Sequence, residues 1–175
     1  MQIADALILI REIPDFPEPG IRFQDITPLL ANAEAFAAVT HEFSALINKG
    51  TLVAGIEARG FIFASALAHN IGSGFVPIRK AGKLPYTSIS QSYGLEYGAS
   101  TLEIHVDAIN KGDNIVLVDD VLATGGTLNA AIDLIHQCGG SVTDVLVLLE
   151  ITGLSGRESL TDSFPAIKLT SLALI

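Results

Sequence analysis

The sequence predicts an α/β fold: a central, mostly parallel sheet flanked by helices. After residue 50, short β-branched runs alternate with longer helical stretches, as repeated βαβ units require. The run at 114–118 (NIVLV) is almost continuously apolar, which suits a strand covered by helices on both faces. Of the 175 residues 49% are hydrophobic, enough for one full core. With 17% charged residues, 16 Gly and 7 Pro, and no repeat or low-complexity tract, disordered and fibrous classes are excluded, and a single domain over 1–175 is expected.

The elements follow in order. The N-terminal MQIADALILIREI holds a short apolar run interrupted by Asp5 and Arg11, with no basic leader or small-residue cleavage site, and reads as a short amphipathic helix. The Pro- and aromatic-rich segment before residue 32 reads as a small N-terminal hood. Asn32 is placed to cap a helix over 33–48, with Ala37, Phe43, Leu46 and Ile47 facing inward. A strand at 52–56 precedes a helix over 60–70, carrying Phe61, Phe63, Ala64, Leu67 and Ala68 and stopping at Asn-Ile-Gly. A second strand occupies 75–78. Residues 79–98 are polar, Gly-containing and aperiodic, and such a stretch in a compact domain is usually functional or mobile, so a flexible lid over about 79–100 is expected. Residues 101–106 (TLEIHV) alternate as the second arm of a hairpin carrying it. The strand at 114–118 leads to a helix over 126–138 closed by Gly139 and Gly140, and strands at 144–149 and 167–174 complete the sheet. Ser155 and Glu158 match a capping box for a short helix. Nowhere do about eighteen apolar residues run uninterrupted, so no membrane span is expected.

The charge balance narrows the partners. Nineteen acidic residues against ten basic ones give a formal net charge of −9, which argues against nucleic acid, since phosphate backbones select clustered Lys and Arg. The single Cys, Cys138, can form no internal disulfide and reads as an inert thiol in a helix, consistent with a reducing compartment and a cytoplasmic location. His41, His69 and His136 in helical patterns and His105 on a strand read as structural, with no metal-ligand spacing among them.

The strongest chemical signal is IVLVDDVLATGGT at 115–127, where a buried strand ends in two acids and passes through a small turn into a helix. Ligands of open α/β sheets bind beyond the carboxyl ends of the strands, where helix N-termini present unpaired N–H groups. Ala123, Thr124, Gly125, Gly126 and Thr127 can wrap a phosphate monoester with backbone N–H groups and two hydroxyls. Asp119 and Asp120 would repel that phosphate, so their task is to accept hydrogen bonds from hydroxyls such as a ribose diol. An acidic metal pocket of the phosphoacceptor type also uses paired Asp, but it has no need of TGGT. Four of the ten basic residues, Arg59, Arg79, Lys80 and Lys83, stand at or just after the ends of the first two predicted strands. That concentration in an acidic chain calls for an anion such as diphosphate.

VLVDDVLATGGT resembles the phosphoribosyl-diphosphate (PRPP) binding signature of the type I phosphoribosyltransferases. PDFPEPGIRFQDITPLL at 14–30, GIEARGFIF at 55–63, PIRKAGKLP at 77–85, LEYGASTLEIH at 95–105 and ITGLSGRESL at 151–160 are similar to the adenine phosphoribosyltransferases within that family. The resemblance covers about residues 8–162. It implies the type I phosphoribosyltransferase fold, a homodimer, and conversion of adenine and PRPP to AMP and diphosphate with Mg²⁺ held mainly by substrate and water. It further implies that Glu57, Ala58, Arg59, Arg79, Lys80 and Lys83 bind diphosphate, across a cis peptide between Glu57 and Ala58. Phe23 would stack on adenine, with Arg22 and Gln24 beside it. Family members often carry Arg where this chain has Gln24. Glu96, beside Tyr97, resembles the acid that handles the purine proton, and Arg59 stands with it as a catalytic candidate. Two other readings are a transferase for a 6-oxopurine or xanthine, and a non-catalytic PRPP-sensing regulator; no basic helix-turn-helix supports the latter.

Overall fold

The computed structural model describes residues 1–48, 50–95 and 98–175, with the backbone alone considered at 95, 98 and 99. The chain divides into two units, Met1–Leu46 and Ile47–Ile175.

The first unit is built from α1 (Ile3–Leu7), β1 (Arg11–Pro14), β2 (Arg22–Asp25), α2 (Thr27–Ala31) and α3 (Ala33–Ala45). The expected N-terminal helix is present but ends at Leu7, and Arg11–Pro14 is a strand paired antiparallel with β2, placing Ile13 opposite Phe23. Pro14 keeps Ile13 extended, because a residue preceding proline is pushed out of the helical region. Asn32 caps α3 as expected, its side chain accepting from the Ala35 N–H at 3.0 Å. That helix ends at Ala45, short of 48. Asp25 is the polar anchor of the unit: Oδ2 accepts from Arg11 at 2.6 Å, and Oδ1 accepts from the Thr27 N–H and hydroxyl at 2.9 and 2.7 Å. These bonds, led by Arg11, hold its carboxyl down at about 2.

The second unit carries β3 (Leu52–Ile56), α4 (Gly60–Ile71), β4 (Phe75–Lys80), β5 (Ser88–Leu95), β6 (Gly98–His105), β7 (Asn114–Leu122), α5 (Gly126–Gln137), β8 (Ser141–Glu150), α6 (Gly156–Ser163) and β9 (Lys168–Leu174). Among the described residues its strands form one sheet in the order β5-β6-β4-β3-β7-β8-β9. β4, β3, β7, β8 and β9 run parallel, while β6 is antiparallel to β4 and β5 to β6. Ile56, Ile78, Leu117, Leu128, Ile132 and Leu160 belong to one buried cluster that joins the sheet to α5 and α6. Gly139 ends α5 with φ +90°, and the N–H groups of Gly139 and Gly140 close the last turn onto the carbonyls of His136 and Ile135.

Three local differences from the sequence reading have physical causes. Residues 88–95, within the polar stretch expected as a lid, form β5; Ile89 and Tyr93 pack on the core, and the Gln91 side chain accepts from Gln137 of α5 at 3.2 Å. Three apolar residues, Ile89, Tyr93 and Leu95, make an alternation too faint to stand out among Ser, Gln and Gly. β7 runs four residues past 118 to Leu122, so Asp119 and Asp120 lie buried within the strand rather than following its end. The capping box at Ser155 does not form: Ser155 sits at φ +52°, outside the extended region a capping residue uses, and its side chain makes no cap bond.

Candidate active site

Two strand ends meet side by side in the middle of the sheet. β3 ends at Ile56, pairs with β7 up to Gly55–Val118, and continues through a cis peptide between Glu57 and Ala58. Arg59 then leads into α4, whose first residue, Gly60, presses on β7. A Cβ on Gly60 would collide with the Asp119 carboxylate and come within 2.7 Å of its Cα. No other residue fits this contact without displacing one of the two strand ends, which ties Arg59 to the two acids. The Arg59 guanidinium lies 2.5 Å from Asp120 Oδ2, in contact but without the alignment of a hydrogen bond.

The acids are electrostatically loaded. Asp119 and Asp120 are 7% and 6% exposed, and Asp119 Oδ1 accepts the Asp120 N–H at 2.9 Å. Burial pushes the Asp119 carboxyl well above the ordinary range, and the adjacent Asp120 charge pushes the same way. Asp120 is also raised by burial, against the pull of Arg59. Hydroxyl donors and cationic charge are what such a pair lacks.

Past Leu122 the chain turns at Ala123–Gly125 into α5. Gly125 has φ +87°, a conformation that costs other residues dear, and the first N–H groups of α5 have no intrahelical acceptors. Residues 121–125 with Thr127 and Leu128 enclose a cavity of about 130 Å³. Gly94 of β5 and Tyr93 come within 3.4–3.5 Å of where a Gly126 Cβ would stand, so the hairpin closes one wall.

The cationic cluster lies along β4 and the turn after it. Glu57 Oε2 accepts from Arg79 Nε at 2.7 Å and from the Lys80 N–H at 3.1 Å, and Arg79 also donates to the Lys83 carbonyl at 3.2 Å. The Glu57 carboxylate therefore positions Arg79 rather than facing an anion, while Ala58, Lys80 and Lys83 are exposed. In the first unit Arg22 is exposed and 3.4 Å from Glu12, and Gln24 donates weakly to Glu12 at 3.5 Å. Phe23 is half-buried, edge-on to Phe16 at 5.1 Å. Glu96 and Tyr97 lie outside the described residues.

The structure thus brings together Arg59, Asp119, Asp120 and the 123–127 turn, with Glu57, Arg79, Lys80 and Lys83 as a second cluster. Sequence reasoning missed Gly60, whose only signal was its place right after Arg59 at a helix start. It also missed Gly156, which meets Ala123 through a contact that no local pattern announces.

Residues 23–163 match the model of the phosphoribosyl transferase domain. The chain is 50% identical over 168 residues to an adenine phosphoribosyltransferase of Thermobifida fusca, covering 95% of this chain and 93% of that protein. It is 53% identical over 156 residues to one of Acidothermus cellulolyticus, covering 88% of each. Among solved structures, adenine phosphoribosyltransferase from Thermoanaerobacter pseudethanolicus superposes with a TM-score of 0.92 at 44% identity, over 99% of this chain and 100% of that one. The enzyme from Giardia lamblia, complexed with 9-deazaadenine, does so with a TM-score of 0.92 at 40% identity, over 100% and 98%.

Proposed function

The chain belongs to the phosphoribosyltransferase family, and from that premise we propose that it converts adenine and PRPP to AMP and diphosphate in purine salvage. It is a transferase, with relatives named for this activity at about half identity over most of their length. The single observation that carries the site assignment is the junction of β7 with α5: two buried carboxylates followed within a few residues by a turn and a helix start with free N–H groups.

The residue roles follow from the chemistry. The 5′-phosphate takes the N–H groups and hydroxyls of Ala123, Thr124, Gly125, Gly126 and Thr127. The ribose diol donates to Asp119 and Asp120. As it does so, Arg59 exchanges Asp120 for the diphosphate, so neither charge is left uncompensated with substrate absent or present. Arg79, oriented by Glu57, joins Lys80, Lys83 and the Glu57–Ala58 backbone around the same leaving group. Arg22, Phe23 and Gln24 are the adenine contacts, Phe23 by stacking. In the reaction a purine nitrogen forms its bond to C1 of the ribose as the bond from C1 to the diphosphate oxygen breaks, and Glu96 takes the purine proton. Catalysis lies in neutralising the departing diphosphate.

The donor set suits Mg²⁺: Asp119 and Asp120 are hard oxygen donors, and Asp120 Oδ2 accepts no hydrogen bond among the described residues. Substrate oxygens and water would chiefly hold the ion, with these carboxylates nearby, and it would supply charge neutralisation at the diphosphate. Also proposed are a homodimer, a cytoplasmic location, a hood over about 1–32 and a lid over about 79–100 that excludes water. No described helix is long and apolar enough to cross a membrane.

Transfer assays with PRPP, Mg²⁺ and each of adenine, hypoxanthine, guanine and xanthine test the reading. AMP and diphosphate should appear in equal amounts with adenine. Turnover restricted to a 6-oxopurine overturns the base assignment, and saturable PRPP binding with no base consumed overturns the enzymatic one.

A further inference from the structure

A charged cluster outside the groups assigned to substrate touches the proposed phosphate turn through α6. Glu150, at the end of β8, is paired in register with Leu122, the residue just before the turn, and is 8% exposed. Arg157 of α6 donates to both of its oxygens, through Nε at 2.9 Å and Nη2 at 2.5 Å. The same guanidinium donates to Ser171 of β9 at 3.1 Å and to the Leu169 carbonyl at 3.4 Å, and Ser171 in turn donates to Glu150 at 2.5 Å. One Arg fork therefore fastens the start of α6 to two strands.

The fastened helix presses on the turn at two points and is tied to the helix after it at a third. Gly156 lies against Ala123 so closely that a Cβ there would collide with the Ala123 carbonyl oxygen and stand 2.7 Å from Leu122. From the other side, a Cβ on Gly125 would stand 2.9 Å from the Gly156 carbonyl and 3.4 Å from Ser159. Asn129 of α5 donates to the Ser159 hydroxyl at 3.1 Å, tying the helix that follows the turn to the same surface. Two glycines facing each other without Cβ atoms leave no slack: any shift of α6 is a shift of residues 122–125.

We propose that Glu150, Arg157 and Ser171 are positioning residues for PRPP: by seating α6 on Ala123 and Gly125 they fix the turn that receives the 5′-phosphate. The inference rests on the phosphate-turn reading above. None of the three would touch substrate.

The test separates this role from general support of the fold, and from the reading beneath it. Ribose 5-phosphate is titrated calorimetrically into the wild-type protein and into Arg157→Ala, Arg157→Lys and Ser171→Ala, and KM for PRPP and for adenine is measured for each. Arg157→Ala should raise the PRPP KM and the ribose 5-phosphate Kd by on the order of 10- to 100-fold, the scale of a displacement of a site remote from the mutation. The adenine KM should stay within about twofold, a change too small to report a lost contact. Arg157→Lys keeps the charge but loses the fork and should give a smaller rise in the same two constants. It decides the matter if the alanine variant fails to fold. Variants that merely lose active protein, with lower kcat and both constants unmoved, overturn the proposal. Wild-type protein that ignores ribose 5-phosphate overturns the phosphate-turn reading as well.

Discussion

Arg59–Asp120 and Arg157–Glu150 are the same pair of charges, one carboxylate within β7 and the other at the end of β8, each with its closest approach at 2.5 Å. They end in opposite electrostatic states. Glu150 is met by two guanidinium nitrogens and the Ser171 hydroxyl, and these bonds, led by Arg157, draw its carboxyl below the ordinary range. Asp120 Oδ2 touches Arg59 without an aligned hydrogen bond, and burial raises the carboxyl. The lesson is that a pair of opposite charges stabilises only when the geometry satisfies it. One pair is closed and serves structure. The other is left short of donors, which is the condition for a site that takes its donors from a ligand.

The largest expected effect breaks the open pair. Asp120→Asn should lower kcat/KM for PRPP on the order of 100-fold, since it removes the charge of the proposed ribose acceptor and its ion pair with Arg59. Steady-state kinetics checks this. The Asp119 carboxyl should fall toward the ordinary range in the same variant, because a like charge beside it is gone, and carboxyl carbon NMR titration reads that shift. Unchanged turnover would show that the diol is held elsewhere.

Next comes the contact that brings the open pair together. Gly60→Ala forces a methyl group onto the Asp119 backbone and should cost about 1–3 kcal/mol of stability by overpacking. Chemical denaturation measures it, and ribose 5-phosphate affinity should weaken in parallel.

A smaller effect sharpens the contrast through its sign. A carboxyl drawn down by folding, as at Glu150, adds stability that is present above its unfolded pKa and is lost as pH falls through the folded value. Carboxyls raised by folding, Asp119 foremost, add stability that is present below the unfolded pKa and is lost as pH rises through the folded value. Glu150→Gln should thus be less stable than wild type at neutral pH, by about 1 kcal/mol, with the gap closing in acid. Asp119→Asn should be as stable or more stable at neutral pH, and its advantage should also close in acid. Thermal melts across pH would show the two differences with opposite signs.

The smallest effect lies in the first unit. Asp25, held at about 2 chiefly by Arg11, adds stability present above the ordinary Asp value of 3.8 and lost as pH falls toward 2. Arg11→Met should flatten the decline of the melting temperature below about pH 4, the range where an unperturbed Asp titrates.

The parallel strands were legible because a strand buried on both faces needs a nearly unbroken apolar run, and IVLV at 115–118 and VLVLL at 145–149 supply it. The cap at Asn32 and the glycines closing α5 were legible because both satisfy helix ends locally. The β1–β2 ribbon and β5 were not: β1 and β2 are four residues each, and β5 hides three apolar residues among polar ones. Ser155 misled for a related reason, since S-x-x-E describes a capping box only if the backbone enters the helix extended.

In the candidate site, Asp119, Asp120 and the 123–127 turn could be read from spacing, because acids, small residues and a helix start follow one another along the chain. The sequence alone thus determined the fold class, the paired carboxylates of β7 and the concentration of basic residues at or after the ends of β3 and β4, all features carried by neighbours in the chain. Only the tertiary structure decided that Arg59 reaches Asp120, that Glu57 orients Arg79 and that Gly156 lies on Ala123. Those contacts join segments far apart in sequence, and their geometry depends on how closely two backbones approach, a distance set by packing and by the absence of a Cβ rather than by any local preference.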